Sequence, residues 1–451
     1  MTYDEAVAWL HGMPRYRSEP TLERMERLLS LLGDPHKELA GKILHVAGTN
    51  GKGSVCAFLT HALTRSGYRV GRFISPFIME FRERMEINGE MIPKREVVSI
   101  CKTLQKCVER FTEETGCTPL EFELVTAMGL YWFAEQRCDF LVLEVGVGGK
   151  YDPTNVVDPL LSVITRVDYD HTEVLGPTLR DIAAQKAGIV KEGRPCVISP
   201  DNSEEALDVI RCTCEAMHSN WIRPERTEAK ILSAELGRLV FSYRQTDYEL
   251  RLSGLYQIGN ALCAIEAMRI LASLPCGAKV TEKAVRAGLS ETTFPARFEP
   301  LSSEPPVILE GAHNLSGFRA LRENLDYYCQ DQPVLFLCGM LRDKSPADCL
   351  DCLPLSRVCF AACVTPPSPR AMTGEELAEL FREKGTEASG FPSVRDALSD
   401  LKRRNRTGLI PVICFGSLYV AGAVRRAFSL PDESTVKGGK RRGTSSAGSG
   451  F

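Results

Sequence analysis

The sequence predicts an α/β protein of two domains. The first is an N-terminal P-loop-type domain, a mostly parallel sheet with helices on both faces. The second is a smaller C-terminal Rossmann-like α/β domain. Three observations predict this. Short apolar runs alternate with helical stretches, twice along the chain, as in parallel sheets covered on both sides. A glycine-rich loop, Gly48-Thr49-Asn50-Gly51-Lys52-Gly53-Ser54, joins the first such run to a helix. The 451 residues exceed what one ordinary core encloses.

In order, strands are expected at 43–47, 68–73, 140–145, 160–165 and 195–199, with helices between them, the first at 54–65. Residues 228–252 break the alternation. Leu239, Phe241 and Tyr243, then Tyr248, Leu250 and Leu252, alternate as in an antiparallel hairpin. Helices return at 258–274 and 281–289. A boundary at Phe294-Pro295-Ala296-Arg297 divides a domain at 1–294 from one at 295–430. The second series has strands at 307–309, 334–338, 358–364 and 410–415, and helices at 315–325, 374–384, 394–403 and 418–428. Residues 431–451 are rich in Gly, Ser and Lys/Arg and read as a disordered tail, with 437–442 a solvated basic cluster.

Hydrophobic residues make up 44% and charged residues 25%, a soluble globular balance. A net charge of −3 offers nothing to nucleic acid or an anionic membrane. No apolar run approaches the ~18 residues of a membrane span. The first ten residues carry Asp4 and Glu5 and do not read as a secretory signal. A cytoplasmic location is the expectation. Seventeen cysteines fall short of the ~8–10% of a disulfide scaffold and are expected reduced. Cys349 and Cys352, with Cys359 and Cys363, match no familiar zinc spacing and are expected to be small buried hydrophobes.

The loop at 48–54 carries phosphate chemistry. Its glycines let backbone N–H groups and a helix N-terminus face an anion. Lys52 brings a point charge and Ser54 a hydroxyl for metal or phosphate. Two residues, not four, separate Gly48 from Gly51-Lys52, and Gly53 precedes Ser54, so this is not the common P-loop. Ligands of open parallel sheets lie at the carboxyl ends of the strands. There Glu144 ends a buried apolar run and needs a partner, for which a metal is the economical choice. Ser75-Pro76 and Asp168-Tyr169-Asp170-His171 follow two other strands, so Ser75, Glu144 and His171 form a candidate Mg²⁺ site. Gly146-Val147-Gly148-Gly149 lacks dinucleotide spacing, which disfavours a dehydrogenase. Lys186 follows a capping box at Thr178 and Asp181. By spacing alone it reads as solvated surface.

These residues resemble a family, the folylpolyglutamate synthases and their bifunctional dihydrofolate synthase forms, within the Mur ligase superfamily. The resemblance runs from about residue 22 to 422. Its motifs are Gly48–Ser54, Arg82-Glu83-Arg84-Met85-Glu86-Ile87-Asn88-Gly89, Phe122-Glu123, Leu143–Gly149 with Asp152, Thr154 and Asn155, Asp170–Gly176, Lys186–Ile189, Gly311–Asn314, Gly339–Lys344 and Gly416–Tyr419. The resemblance implies that Asn50, Gly51, Lys52, Gly53 and Ser54 bind ATP, met across the cleft by Asn260, Arg297 and Glu310. It implies Mg²⁺, in two ions, at Ser75, Glu144 and His171 and at a carbamylated Lys186, whose amine must be neutral to react. Folate or dihydropteroate would lie near Arg82, Phe122, Glu123, Tyr151, Asp152 and Pro153, and L-glutamate near His313 and Ser417. Lys52, Lys186 and His313 are the implied catalytic residues, His313 as a base to be tested.

The implied reaction activates a carboxylate by ATP as an acyl phosphate, which the glutamate amine attacks. Two anions must meet in the first step, which gives Mg²⁺, Lys52 and Arg297 an electrostatic task. Monomer is the family expectation. The chain departs from the usual pattern at Phe77 (for His), Lys150 (for Arg), Pro153 (for Ala), Ala296 (for Gly), Glu310 (for Asp) and Ser345 (for Asp). Two other readings stay open: a Mur-type ligase acting on another carboxylate substrate, and a noncatalytic nucleotide-binding homologue.

Overall fold

The computed structural model describes residues 1–15 and 21–429; the tail expected to be disordered, with its basic cluster, lies outside them. Among the described residues seventeen strands form three sheets. The first sheet holds β1 Ile43–Ala47, β2 Val70–Phe73, β3 Met85–Ile87, β4 Glu90–Met91, β5 Phe140–Glu144, β6 Leu161–Ile164, β7 Cys196–Ile198 and β8 Trp221–Ile222. Their order is β4-β3-β2-β5-β1-β6-β7-β8. All neighbours are parallel except for β3 and β4, which add antiparallel at one edge.

β1 and β5 are buried along their whole length. Helices Lys52–Arg65 and Gln257–Ala272 cover one face of the sheet, and an N-terminal layer that includes Tyr3–His11, Glu23–Leu31, Lys94–Thr115 and Glu121–Glu135 covers the other. A strand with helices on both sides needs apolar side chains on both faces, which is why these runs read as continuously apolar.

The expected hairpin is a three-stranded antiparallel sheet, β9 Ala229–Glu235, β10 Arg238–Tyr243 and β11 Thr246–Leu250. Leu239, Phe241 and Tyr243 point into the core, with Tyr248 and Leu250 opposite. β9 has no buried residue and so no alternation to detect.

The third sheet holds β12 Glu299–Ser303, β13 Pro306–Leu309, β14 Val334–Cys338, β15 Val358–Val364, β16 Ala388–Phe391 and β17 Val412–Phe415, in the order β12-β13-β17-β14-β15-β16. Only β12 is antiparallel. Strands β3, β4, β8, β12 and β16 were not expected. They are short and sit at or next to sheet edges, where packing on a neighbour rather than an apolar run makes the strand.

The cysteine expectation needs correction. Cys349 and Cys363 are buried, Cys352 is half-buried and Cys359 is exposed. Cys359 faces outward near the start of β15, where strand alternation takes it off the core side. Among the described residues no cluster of His, Cys, Asp and Glu is arranged to hold a metal. Among them also, no helix is long and apolar enough to cross a membrane.

Candidate active site

The carboxyl ends of β1, β2, β5 and β6 meet at the phosphate loop. The loop is pinned to the end of β6: Thr49 N and Asn50 N donate to Arg166 O at 2.8 and 3.2 Å, and Thr165 Oγ1 donates to Asn50 O at 2.8 Å. Gly51 has φ +95°, and a Cβ there would stand 2.2 Å from Asn260 Oδ1. Only glycine combines that conformation with that approach. The helix then begins at Lys52, two residues earlier than expected. Gly53 lies flat against the Phe294 ring, 2.7 Å from where a Cβ would be. Ser54 Oγ accepts from Gln257 Nε2 at 3.3 Å, and Gln257 Oε1 accepts from Asn260 Nδ2 at 2.9 Å. Asn260 thus supports the loop from the neighbouring helix.

Two lysines share one carbonyl. Lys52 Nζ donates to Gly48 O at 3.1 Å and Thr49 O at 3.3 Å, and Lys186 Nζ donates to Gly48 O at 3.0 Å. Lys186 is 3% exposed. Burial, with the Lys52 charge beside it, pulls its amine down to about 7. The surface reading that spacing suggested is therefore wrong for Lys186; its helix turns that face onto the loop.

Glu144 is buried at the tip of β5. Its Oε2 accepts from Ser75 N at 3.3 Å, and among the described residues it has no ion-pair partner. Burial raises its pKa, with Lys52 and Arg297 opposing from a distance. An unpaired buried carboxylate beside a serine hydroxyl fits a divalent cation. The Ser75 hydroxyl accepts from Arg84 Nη1 at 3.0 Å. His171 is more exposed than Glu144. It has φ +52° ahead of the short helix Thr172–Leu175, and its ring is 42% exposed. Surrounding protein, Lys344, Lys52 and Lys186 draw it down to about 4 against the pull of Asp170. The imidazole is neutral and fit to ligate.

The two sheets face each other across polar contacts. Asp170 ion-pairs with Lys344 and accepts from Asn314 Nδ2 at 2.8 Å. Asn314 Oδ1 in turn accepts from Asn50 Nδ2 of the phosphate loop at 3.2 Å. Burial would raise the Asp170 carboxyl, but His171, Lys344 and His313 hold it well below the ordinary carboxylate range. Elsewhere on the seam, Glu310 accepts from Tyr256 OH at 2.7 Å and Phe298 N at 3.0 Å. Arg297 lies with its guanidinium 5.1 Å from the Phe294 ring centre. Its neighbours Ala296 and Phe298 have φ of +56° and +49°, so the departure from glycine at 296 puts a Cβ in a left-handed conformation. His313 is lowered by burial, and its Nδ1 lies 2.8 Å from Gly311 O. Ser417 Oγ accepts from Val420 N at 3.3 Å, capping the last helix.

The expected substrate residues divide. Phe122 packs on Gly146 beside Phe73, and Tyr151 is exposed under Lys150. Asp152 accepts from Val147 N, Thr154 N and Thr154 Oγ1 and so shapes the 146–149 loop, while Pro153 opens the turn Pro153–Val156. Arg82 pairs with Glu80. The Glu123 carboxylate is taken up by Arg24, at 3.0 and 3.1 Å, and by Leu120 N at 2.7 Å. These contacts make Glu123 a scaffold residue. Phe77 joins an aromatic cluster with His11, Phe81 and the Arg84 guanidinium.

A cavity of ≈ 110 Å³ opens where Gly53, Ser75, Glu144, Arg297, Leu418 and Arg72 meet. Sequence reading missed Arg72 and Tyr256, and it quoted Arg84 and Glu86 within the Arg82–Gly89 motif without giving either a role of its own. It quoted Lys344 and Asn314 in motifs without giving them a role. Only the buried position of Arg72 within an otherwise apolar strand was a legible signal.

This geometry joins a phosphate loop on a large parallel sheet to a second α/β sheet that closes over it. The Mur ligase middle domain family matches residues 46–268, and the Mur ligase glutamate ligase domain family matches residues 296–418. The fold is that of a Mur-type ligase. The chain is 34% identical to the folylpolyglutamate synthase of Lacticaseibacillus casei over 98% of its own length and all of that protein. It is 33% identical to the dihydrofolate synthase/folylpolyglutamate synthase of Bacillus subtilis, covering 94% of this chain and 98% of that one. A solved FPGS-AMPPCP-folate complex superposes with a TM-score of 0.79 at 32% identity, over 95% of this chain and 99% of that one. The chain belongs to the folylpolyglutamate synthase/dihydrofolate synthase family.

Proposed function

We propose that this protein is an ATP-dependent ligase that activates the carboxylate of a folate, or of dihydropteroate, as an acyl phosphate and couples it to L-glutamate. The observation that carries this is the likeness over nearly the whole chain, both domains included, to enzymes of that name. A relative solved with AMPPCP and folate together supports ATP and folate as the ligands. The domains are assigned as 1–294 for ATP and folate and 295–430 for glutamate, and the protein acts as a cytoplasmic monomer.

The geometry supports the following roles. Lys52 and the N–H groups of Gly51, Gly53 and Ser54 take the phosphates; to do so Lys52 leaves two carbonyls of its own loop. Ser75, Glu144 and His171 would hold Mg²⁺, which would supply charge neutralisation between the two anions. With its amine drawn to about 7, Lys186 is neutral in a large fraction of molecules at pH 7. That neutral nitrogen could bond to the carbon of CO₂ with release of a proton, and the resulting carbamate anion would suit a second Mg²⁺. Arg297, on the second sheet's side, faces the transferred phosphoryl group. Asp170, Lys344 and Asn314 tie closure of the seam to Asn50, which shields the acyl phosphate from water. Phe122 and Tyr151 flank the pterin, and His313, neutral by burial, accepts the proton of the attacking amine.

The test is glutamate-dependent phosphate release with ATP and Mg²⁺, comparing dihydropteroate, tetrahydrofolate and no pterin. Turnover with either pterin supports the ligase, and with both a bifunctional enzyme. Silence with both, despite ATP binding, overturns the folate assignment.

A further inference from the structure

One wall of the cavity has no task in this scheme. Arg72, in β2, and Glu86, in β3, face each other in antiparallel register. Arg72 Nη2 donates to Glu86 Oε2 at 2.5 Å. The two residues are 8% and 9% exposed. Arg72 Nε is buried with no hydrogen-bond partner. Apolar residues would join two strands at lower cost, since a buried ion pair must be desolvated and an unmade hydrogen bond is a further loss. The pair is not in a remote part of the core. It lines the same cavity as Gly53, Ser75, Glu144 and Arg297. The Arg72 guanidinium lies 5.8 Å from the centre of the Phe294 ring, the ring that packs on Gly53 and carries Arg297 at 5.1 Å.

The cavity therefore has two cations beside one aromatic ring, with the Ser75–Glu144 pair also on its wall. Lys52 and the loop serve the phosphates, and Arg297 faces the transferred group. A carboxylate is the group that a guanidinium on the wall of a partly apolar cavity recognises best. L-Glutamate brings two carboxylates, and Ile74, Ile78 and Leu418 offer apolar wall for its methylenes. We propose that Arg72 is a specificity-determining residue that binds a carboxylate of the incoming L-glutamate, with Glu86 positioning the guanidinium. This rests on the ligase reading above.

The experiment pairs steady-state kinetics with titration of L-glutamate into protein loaded with AMPPCP, Mg²⁺ and folate. Arg72→Leu raises KM and Kd for glutamate by about 10- to 100-fold, the range of a lost charge-assisted hydrogen bond. KM for ATP and for folate stays within about twofold. Arg72→Lys recovers part of the loss, because it restores charge but not the fork. Arg72→Met/Glu86→Met removes both partners and leaves no lone buried carboxylate, so it shows the same loss in a chain that folds. An unchanged glutamate KM in any folded Arg72 variant overturns the proposal. So does a shift that falls on the folate KM, which would place the folate carboxylate there. A wild type that binds glutamate through Arg72 yet turns over no pterin overturns the ligase reading alone.

Discussion

Two regions of the large sheet bury charge in opposite ways. In the N-terminal helical layer, Glu123 takes two hydrogen bonds from Arg24 and one from Leu120 N. At the phosphate corner, Glu144 takes one long hydrogen bond from Ser75 N, and Lys52 and Lys186 rest on carbonyls of the loop. The burial is similar, 4% exposed for each glutamate, so burial does not separate them; what differs is whether the fold supplies the partner. A saturated carboxylate is scaffold. An unsaturated one, held in place regardless, is a place for something that arrives later.

Breaking the corner should destroy activity and spare the fold. Lys52→Ala abolishes glutamate-dependent phosphate release, while its unfolding midpoint stays near that of the wild type, because Lys52 gives up only hydrogen bonds to its own loop. Normal turnover by this variant removes Lys52 from the phosphate site. Exchanging the two glutamates sharpens the contrast. Glu123→Ala costs about 3 kcal/mol, since Arg24 is left buried without its partner, and its Mg²⁺ titration is unchanged. Glu144→Gln raises the Mg²⁺ requirement at least about tenfold with little loss of stability. Chemical denaturation and Mg²⁺ titration of both variants check this, and the reverse pattern would overturn the division.

Lys186 allows a test by pH. Its amine is held near 7 in the fold, against 10.5 in the free side chain. Between those values the unfolded chain binds a proton that the native one does not. Stability therefore rises with pH through this window, and the burial penalty is largest below about 7. Lys186→Met flattens that part of the profile and is the more stable protein at neutral pH, measured by urea midpoints without CO₂. An unchanged slope assigns the pH dependence to other groups. The smallest effect is expected at the seam. Ala296 sits at φ +56°, so Ala296→Gly stabilises by about 1 kcal/mol, read as a rise in the thermal midpoint. A fall would mean that the methyl group's packing outweighs the strain.

Much of this was legible in one dimension because the signals were local. β1, β5, β6, β14 and β17 announce themselves as apolar runs, and Thr178 with Asp181 fixes the start of the helix that carries Lys186. The glycines and Lys52 of the phosphate loop act through backbone geometry and one charge, both readable from spacing. Edge strands such as β4 and β16 were not legible, since their strand character comes from a neighbour's hydrogen bonds.

By itself the sequence determined the α/β class, the phosphate loop and the family, because each rests on residue types at fixed short separations. Only the tertiary structure decided that Lys186 is buried against Gly48, that Glu123 is saturated while Glu144 is not, and that Arg72 shares a cavity with Arg297. Those are facts about which groups, far apart in the chain, are desolvated together, and charge behaves differently once water is excluded.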